Sequence, residues 1–406
     1  METRWKSWLI LLVTLFITIE QTTAKENIMI KQMVQDNSVF ALNLYGQLKQ
    51  RENNLFFSPF SISAALAMTY SGAREKTASQ MAAALHFNQK PDQLHHFMGE
   101  LISRLNAVQK ESEVELSVAN AIWAQKGYPF LDAFFRIIQQ SYQADLNQVD
   151  FATAADAARQ AINGWVEDQT HQKIKNLIPP GVLDALTRLV LVNAIYFKGF
   201  WDTQFKPENT EEMAFWLSAE TNVKVPMMHQ EHPYGYWENE WLQVLEIPYK
   251  DEALSLIVLL PKEKTGISVL EQKLSLENIL RWQDQLRKQK IKLFFPKFKI
   301  EAQFNLGQTL SAMGMPDAFD PNHADFSAMI GKKELFISAV IHKAFVEVNE
   351  EGTEAAAATG VVVGVTSIAP PSPIFKADHP FVFFIRDNAS HSILFIGRVL
   401  DPSQSG

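Results

Sequence analysis

Two hydrophobic rhythms alternate along this chain. Apolar residues recur with helical spacing from Val39 to Gln50, and Ser58-Pro59 opens an Ala- and Met-rich stretch through Tyr70, with proline near the start where a helix tolerates it. Residues 153–167 and 269–287 carry the same helical texture. Runs rich in β-branched and aromatic residues predict strands at Val114–Trp123, Leu189–Phe197, Leu254–Leu260, Ile291–Ile300, Leu335–Val348 and Ile393–Val399. Helices lead and strands dominate later, which predicts an α+β fold on large mixed or antiparallel sheets. No internal repeat, block of like charges or Gly/Ser linker divides the chain, so one continuous domain is predicted.

The first residues follow a different pattern. Arg4 and Lys6 precede an apolar run from Trp8 to Ile19, and Thr22-Thr23-Ala24 supplies the small residues of a cleavage site. The run is shorter than the roughly 20 residues that span a bilayer. Residues 1–24 are therefore expected to be a removable signal peptide, and residues 25–406 a secreted product, extracellular or, in a bacterium, periplasmic, with no membrane attachment afterwards.

Composition narrows the chemistry. At 406 residues the chain sits near the upper edge of what one core supports, and 47% hydrophobic residues with 20% charged excludes disorder. Lys plus Arg is 37 against 45 for Asp plus Glu, and the net charge of −8 argues against a nucleic-acid partner. Cysteine is absent, which removes disulfides, zinc–thiolate sites and thiol nucleophiles. There is no Gly-x-Ser-x-Gly, no phosphate-binding Gly-rich loop and no His-Glu-x-x-His, so an enzyme, a cofactor and a metal are not expected. His229 and His232 read as unrelated loop histidines, and His95-His96 would face apart on a helix. Arg281, Arg287, Lys288, Lys290 and Lys292 read as solvated faces rather than a polyanion site. Asn388-Ala389-Ser390 is the one glycosylation sequon, expected in a hairpin turn.

One segment is unlike what an ordinary domain needs: Glu350-Glu351-Gly352-Thr353-Glu354-Ala355-Ala356-Ala357-Ala358-Thr359-Gly360, then Val361 to Ala369 and Pro370-Pro371-Ser372-Pro373. Propensity alone makes 353–358 a short helix. With period two, one face takes Thr353, Ala355, Ala357 and Thr359, all small and uncharged, and the other takes Glu354, Ala356, Ala358 and Gly360. Such a ribbon could slide between two existing strands. A strand entering a sheet must donate N–H groups on both sides, and Gly352 to Ala369 holds no proline. An Ala-rich surface loop would fit the same composition.

Val348-Asn349-Glu350-Glu351-Gly352-Thr353-Glu354-Ala355-Ala356-Ala357-Ala358-Thr359 resembles the hinge of the serpins, the serine protease inhibitor family. Asn54-Leu55-Phe56-Phe57-Ser58-Pro59-Phe60-Ser61-Ile62 is similar to the family's early helix motif, and Asn193-Ala194-Ile195-Tyr196-Phe197-Lys198-Gly199-Phe200-Trp201 to its central strand. Pro296-Lys297-Phe298, His342-Lys343-Ala344, Asp378-His379-Pro380-Phe381 and Leu394-Phe395-Ile396-Gly397-Arg398-Val399 resemble further serpin segments in the same order. The chain departs at Gln172, where the family usually has a small residue.

The resemblance implies a serpin fold of three β-sheets, about eight to nine helices and an exposed reactive-centre loop at about 350–373. It implies a metastable inhibitor that a serine protease cuts and acylates, after which the hinge inserts as a new strand and traps the protease. The partner would be that protease, held covalently by a monomer. Family spacing sets the reactive bond at Thr366-Ser367, with Val365-Thr366 as the alternative. Ser58, Ser61, Asn193 and His342 would form a polar cluster beneath the opening sheet, with Trp201 near its top. From Gly352 through Phe375 there is no Lys or Arg, which disfavours trypsin-like targets. Val362, Val363, Gly364, Val365 and Thr366 suit the narrow apolar pocket of an elastase-like or subtilisin-like protease. A non-inhibitory carrier or chaperone and a cysteine protease inhibitor stand as the alternatives.

Overall fold

A computed structural model of the chain describes residues 28–111, 114–352 and 371–405. The N-terminal part holds most of the helices: α1 (28–48), α2 (Pro59–Tyr70), α3 (Glu75–Leu85), α4 (Pro91–Glu111), α5 (Asp132–Tyr142) and α6 (Phe151–Gln169), with β1 (Leu55–Phe57) and two further strands between them. Later come α7 (Ile267–Lys273), α8 (Leu276–Asp284), α9 (Gly307–Ala312) and α10 (Ser327–Ile330). Helix α2 starts because Ser58 caps it, its side chain accepting from the Ser61 N–H, with Pro59 next. It is apolar all round because every residue from Pro59 to Thr69 is buried.

A five-stranded sheet runs in the order β10 (Phe298–Asn305), β11 (Ile337–Val348), β4 (Leu189–Gly199), β2 (Val114–Gln125), β3 (Asp145–Val149). Strand β4 is buried on both faces, which is why it reads as an unbroken hydrophobic run. Its Leu191, Ile195 and Phe197 join the main core, while Val190, Val192, Ala194 and Tyr196 join a second core with Ile162 and Val166 of α6. The other sheet has nine strands: β1, β14 (Ile393–Val399), β13 (Phe381–Asp387), β8 (Leu254–Pro261), β7 (Leu242–Pro248), β6 (Asn222–Glu238), β9 (Arg287–Pro296) and β12 (Ile374–Lys376), with β5 (Glu211–Trp216) also on β6.

Where three sheets are expected, the described strands are hydrogen-bonded as two networks. The 17-residue β6 pairs with β5 over its first part and with β7 over its last, so it joins what would otherwise be separate sheets. The described residues hold ten α-helices, a number above eight to nine because α9 and α10 are short pieces of 6 and 4 residues. The predicted strand at 291–300 divides at Lys297 into β9 and β10, which lie in different sheets. The predicted helix at 269–287 breaks where the Ser275 side chain caps α8. His229 and His232 lie in β6 rather than in a loop.

Candidate functional site

The site lies on the seam between β4 and β11. These strands run parallel and pair directly, with Asn193 opposite His342 and Lys343 opposite Ala194. On the far side of β4, Asn193 stands opposite Asn120 of β2. Three polar side chains, His342, Asn193 and Asn120, thus form one row across three strands.

The N-terminus of α2 meets this row from below. The Ser58 N–H donates to His342 Nε2 at 3.2 Å, and the other ring nitrogen, Nδ1, donates to the Asn193 side-chain oxygen. The Asn193 amide nitrogen donates to Ser61 Oγ and to Asn120 Oδ1, and Ser61 Oγ donates to Asn120 Oδ1 at 3.1 Å. Ser58 Oγ donates to the Leu394 carbonyl of β14 at 2.7 Å, which ties the cluster to the larger sheet. Ser58, Ser61, Asn193 and His342 are all buried. Burial pushes the His342 imidazole down to about 3, against the pull of its bond to Asn193, so the ring is neutral. The sequence resemblance names four members of this cluster. It misses Asn120, whose signal was a lone amide in an otherwise Ala-flanked strand.

At the end of the seam the chain leaves β11 through Asn349 to Gly352. Trp201 is buried and stacks on Tyr249 with ring centroids 4.8 Å apart. Its indole N–H donates to the Asn349 carbonyl at 3.0 Å, and its backbone N–H donates to the Glu351 carbonyl at 3.0 Å. The Glu350 carboxylate accepts from Thr210 Oγ1 at 2.7 Å and lies 2.7 Å from Lys297 Nζ. Burial alone would raise the Glu350 carboxyl; the Lys297 and Thr210 bonds outweigh it and hold the group below its ordinary value. Gly352 bridges to Phe200 with φ +136°, and a Cβ there would lie 2.2 Å from the Gly199 carbonyl oxygen. Only glycine fits this approach.

Glu350, Glu351 and Gly352 therefore meet Trp201 at one end of the seam, and Ser58, Ser61, Asn193 and His342 meet at its middle. Thr353, Glu354, Ala355, Ala356, Ala357, Ala358 and Thr359 lie outside the described residues, as do Val365, Thr366 and Ser367 and the predicted signal peptide. Thr210 escaped the sequence reading, and Lys297 and Asn349 appeared there only within family-like segments, since their contacts are with residues distant in the chain.

Other candidates disperse. His229 lies 3.9 Å from Glu211, and His232 Nε2 lies 3.2 Å from Thr203 Oγ1. Among the described residues no group of three or more His, Asp or Glu could hold a metal, and no helix is long and apolar enough to cross a membrane. Asn388 does sit in the turn between β13 and β14, but both its donors are used, toward the Glu252 carbonyl and Ser255 Oγ, each at 2.8 Å. His171 and Gln172 both adopt left-handed backbone (φ 48° and 63°), so the departure at Gln172 falls in a tight turn.

A family model described as serpin (serine protease inhibitor) matches residues 35–402. Serpin B3 of Homo sapiens is 43% identical over 386 residues, covering 90% of this chain and 98% of that protein. Leukocyte elastase inhibitor A of Mus musculus is 42% identical over 382 residues, covering 92% of this chain and 100% of that protein. The solved structure of human thyroxine-binding globulin in complex with its ligand matches with a TM-score of 0.84 and 34% identity, covering 92% of this chain and 100% of that chain. The expected α+β fold is the one shared with that structure. The family model and the elastase inhibitor are described as inhibitors, not as enzymes.

One expectation is overturned by these relatives. The family model begins at residue 35, and the mouse inhibitor is matched to its full length by 92% of this chain, so the kinship does not extend to an export segment. The expectation of a secreted, extracellular or periplasmic protein is thereby contradicted. It rested on an apolar run behind Arg4 and Lys6 followed by the small residues Thr22-Thr23-Ala24, a local pattern that the matched relatives do not share.

Proposed function

Because this chain belongs to the serpin family, we propose that it inhibits serine proteases as a consumed substrate, trapping the protease by inserting its cut reactive segment between β4 and β11. The observation that carries the reading is the seam. Two parallel strands with no strand between them are joined by a backbone ladder and a polar row of side chains, and the chain leaving β11 runs directly into a proline-free stretch of small residues.

The lengths agree. Strand β4 has 11 residues and β11 has 12, and the stretch from Thr353 to Gly364 covers that span at about 3.3 Å per residue. Turning back at Gly352, it would run antiparallel to both neighbours, replacing a parallel pairing with two antiparallel ones. The side chains of Thr353, Ala355, Ala357 and Thr359 are small enough for a face that is already packed.

In the chemical step the protease serine oxygen attacks the carbonyl of Thr366 (or of Val365). The peptide bond to the next residue breaks, its amine takes the proton, and an ester joins the inhibitor to the enzyme. Freed at that end, the stretch from Thr353 up to the cut inserts and carries the protease off before water reaches the ester. Insertion requires the β4–β11 backbone ladder and the His342–Asn193 contact to part, so these contribute to the barrier. The partner is the target protease in a covalent complex. Absence of Lys and Arg from Gly352 through Phe375, together with likeness to a leukocyte elastase inhibitor, supports an elastase-like or subtilisin-like target.

A carrier without inhibitory action is the second reading, favoured by likeness to the thyroxine-binding globulin structure. One experiment separates the two. Purified protein incubated with an elastase is expected to give a complex that survives a denaturing gel; mere cutting of the segment sinks inhibition and leaves the carrier or a cysteine-protease inhibitor. Thr353→Arg, which puts a charge on the inward face, is expected to abolish the complex and leave a cut substrate.

A further inference from the structure

Beside the reactive segment, one hydroxyl stands in charged surroundings that inhibition does not use. Pro371-Ser372-Pro373 leads into β12 and belongs to no helix or strand. The flanking prolines hold it extended. Ser372 is only partly covered, and its Oγ donates to Glu231 Oε1 at 2.6 Å. That same oxygen lies 3.2 Å from Lys290 Nζ.

The neighbouring strand β9 turns a row of lysines outward. Ile291 and Leu293 are buried, so Lys288, Lys290 and Lys292 share the exposed face. Ile374 pairs with Lys292, and the Lys292 N–H donates to the Pro373 carbonyl at 2.9 Å, so the same register sets Ser372 beside Lys290. Among the described residues, the carboxylates facing these three cations are Glu231, shared by Lys290 and Lys292, and Glu252, 3.8 Å from Lys288. A neutral hydroxyl gains little from such a row. A group with two negative charges would gain much more.

Serine followed by proline is what a proline-directed protein kinase selects. The chain has two such pairs. Ser58-Pro59 is sealed in the core, where Ser58 caps α2, and Ser372-Pro373 is reachable. We propose that Ser372 is a phosphorylation site and that Lys290 and Lys292 receive its phosphate. The kinase would transfer the γ-phosphoryl group of ATP. The Ser372 oxygen–phosphorus bond forms, the bond from that phosphorus to the bridging β–γ oxygen breaks, ADP leaves, and the hydroxyl proton passes to the kinase's base. The new group brings nearly two negative charges and no donor. It repels Glu231 from its present bond and takes over the lysines, fastening the segment that precedes β12 to β9. This stands whether or not the protein inhibits proteases.

The test uses the full folded chain, ATP and a proline-directed serine kinase, with the phosphate located by mass spectrometry. Phosphate is expected at Ser372 and not at Ser58, and is lost in Ser372→Ala. Phosphorus NMR should then show the phosphoserine losing its second proton about 0.5 pH unit lower than in a phosphopeptide spanning 366–378, with the shift abolished by Lys290→Gln with Lys292→Gln. Refusal of phosphate by the folded protein when the peptide accepts it overturns the proposal, as does a titration that matches the peptide.

Discussion

The two sheets of this molecule differ at their centres. The middle of the larger one, β7, β8, β13 and β14, is antiparallel throughout, and every residue of β8, β13 and β14 is buried. The middle of the smaller one is a parallel seam between β4 and β11, crossed by His342, Asn193 and Asn120. Parallel pairing is slightly weaker per residue, and the polar row adds a few directional bonds to the apolar contacts of these strands. Both centres are packed in the core, but only the smaller sheet carries a polar row whose bonds run through one shared residue, Asn193.

Removing the shared member of the row breaks this contrast most severely. Asn193→Ala leaves His342 Nδ1–H, Ser61 and Asn120 short of partners and is expected to cost roughly 2–3 kcal/mol, read from urea unfolding. Hydrogen exchange should speed up in β4 and β11 while β8 and β13 stay protected; equal loosening of both sheets would erase the difference.

Acid provides a second test. His342 is neutral in the fold, held down to about 3, while in the unfolded chain it takes a proton near 6.5, so unfolding binds protons between those values. Stability is therefore lost as pH falls from about 6.5 toward 3. Going from pH 6.5 to 5 should cost about 2 kcal/mol through His342. His95, buried against Tyr142 and held down to about 4, adds a slope of the same sign. His342→Gln is expected to lower the proton uptake on unfolding, measured by potentiometric titration, and an unchanged uptake would place the acid sensitivity elsewhere.

The smallest effect sharpens the comparison at the seam's end. Glu350→Gln removes the charge from the Lys297 contact and is expected to cost about 1 kcal/mol, less at high salt. A double-mutant cycle with Lys297→Gln measures the pair; a coupling near zero would mean that Trp201 and Gly352 hold this end alone.

Much of this was legible before any coordinates. Ser58-Pro59 marked the start of α2, the β-branched and aromatic run at 189–197 marked a strand, and the resemblance named the polar cluster at Ser58, Ser61, Asn193 and His342. The strands between 211 and 248 were missed because they lack a continuous β-branched and aromatic run, being half exposed with polar residues between the apolar ones, and because β6 contains Pro226 and Pro233. The split at Lys297 was invisible because both flanks have strand character, and the change of sheet is a matter of direction rather than composition.

By itself the sequence determined that this is an α+β chain without sulfur chemistry, with a segment whose side chains are small enough, and whose backbone donors are complete enough, to become a strand. Only the tertiary structure decided where such a strand could go. Residues 193 and 342 are 149 positions apart, and their pairing exists only once β4 and β11 lie side by side. Asn120, Thr210 and Lys297 become part of the site for the same reason. Local pattern records what one residue can do in its own segment, while a hydrogen bond between distant segments is fixed by packing that no single segment encodes.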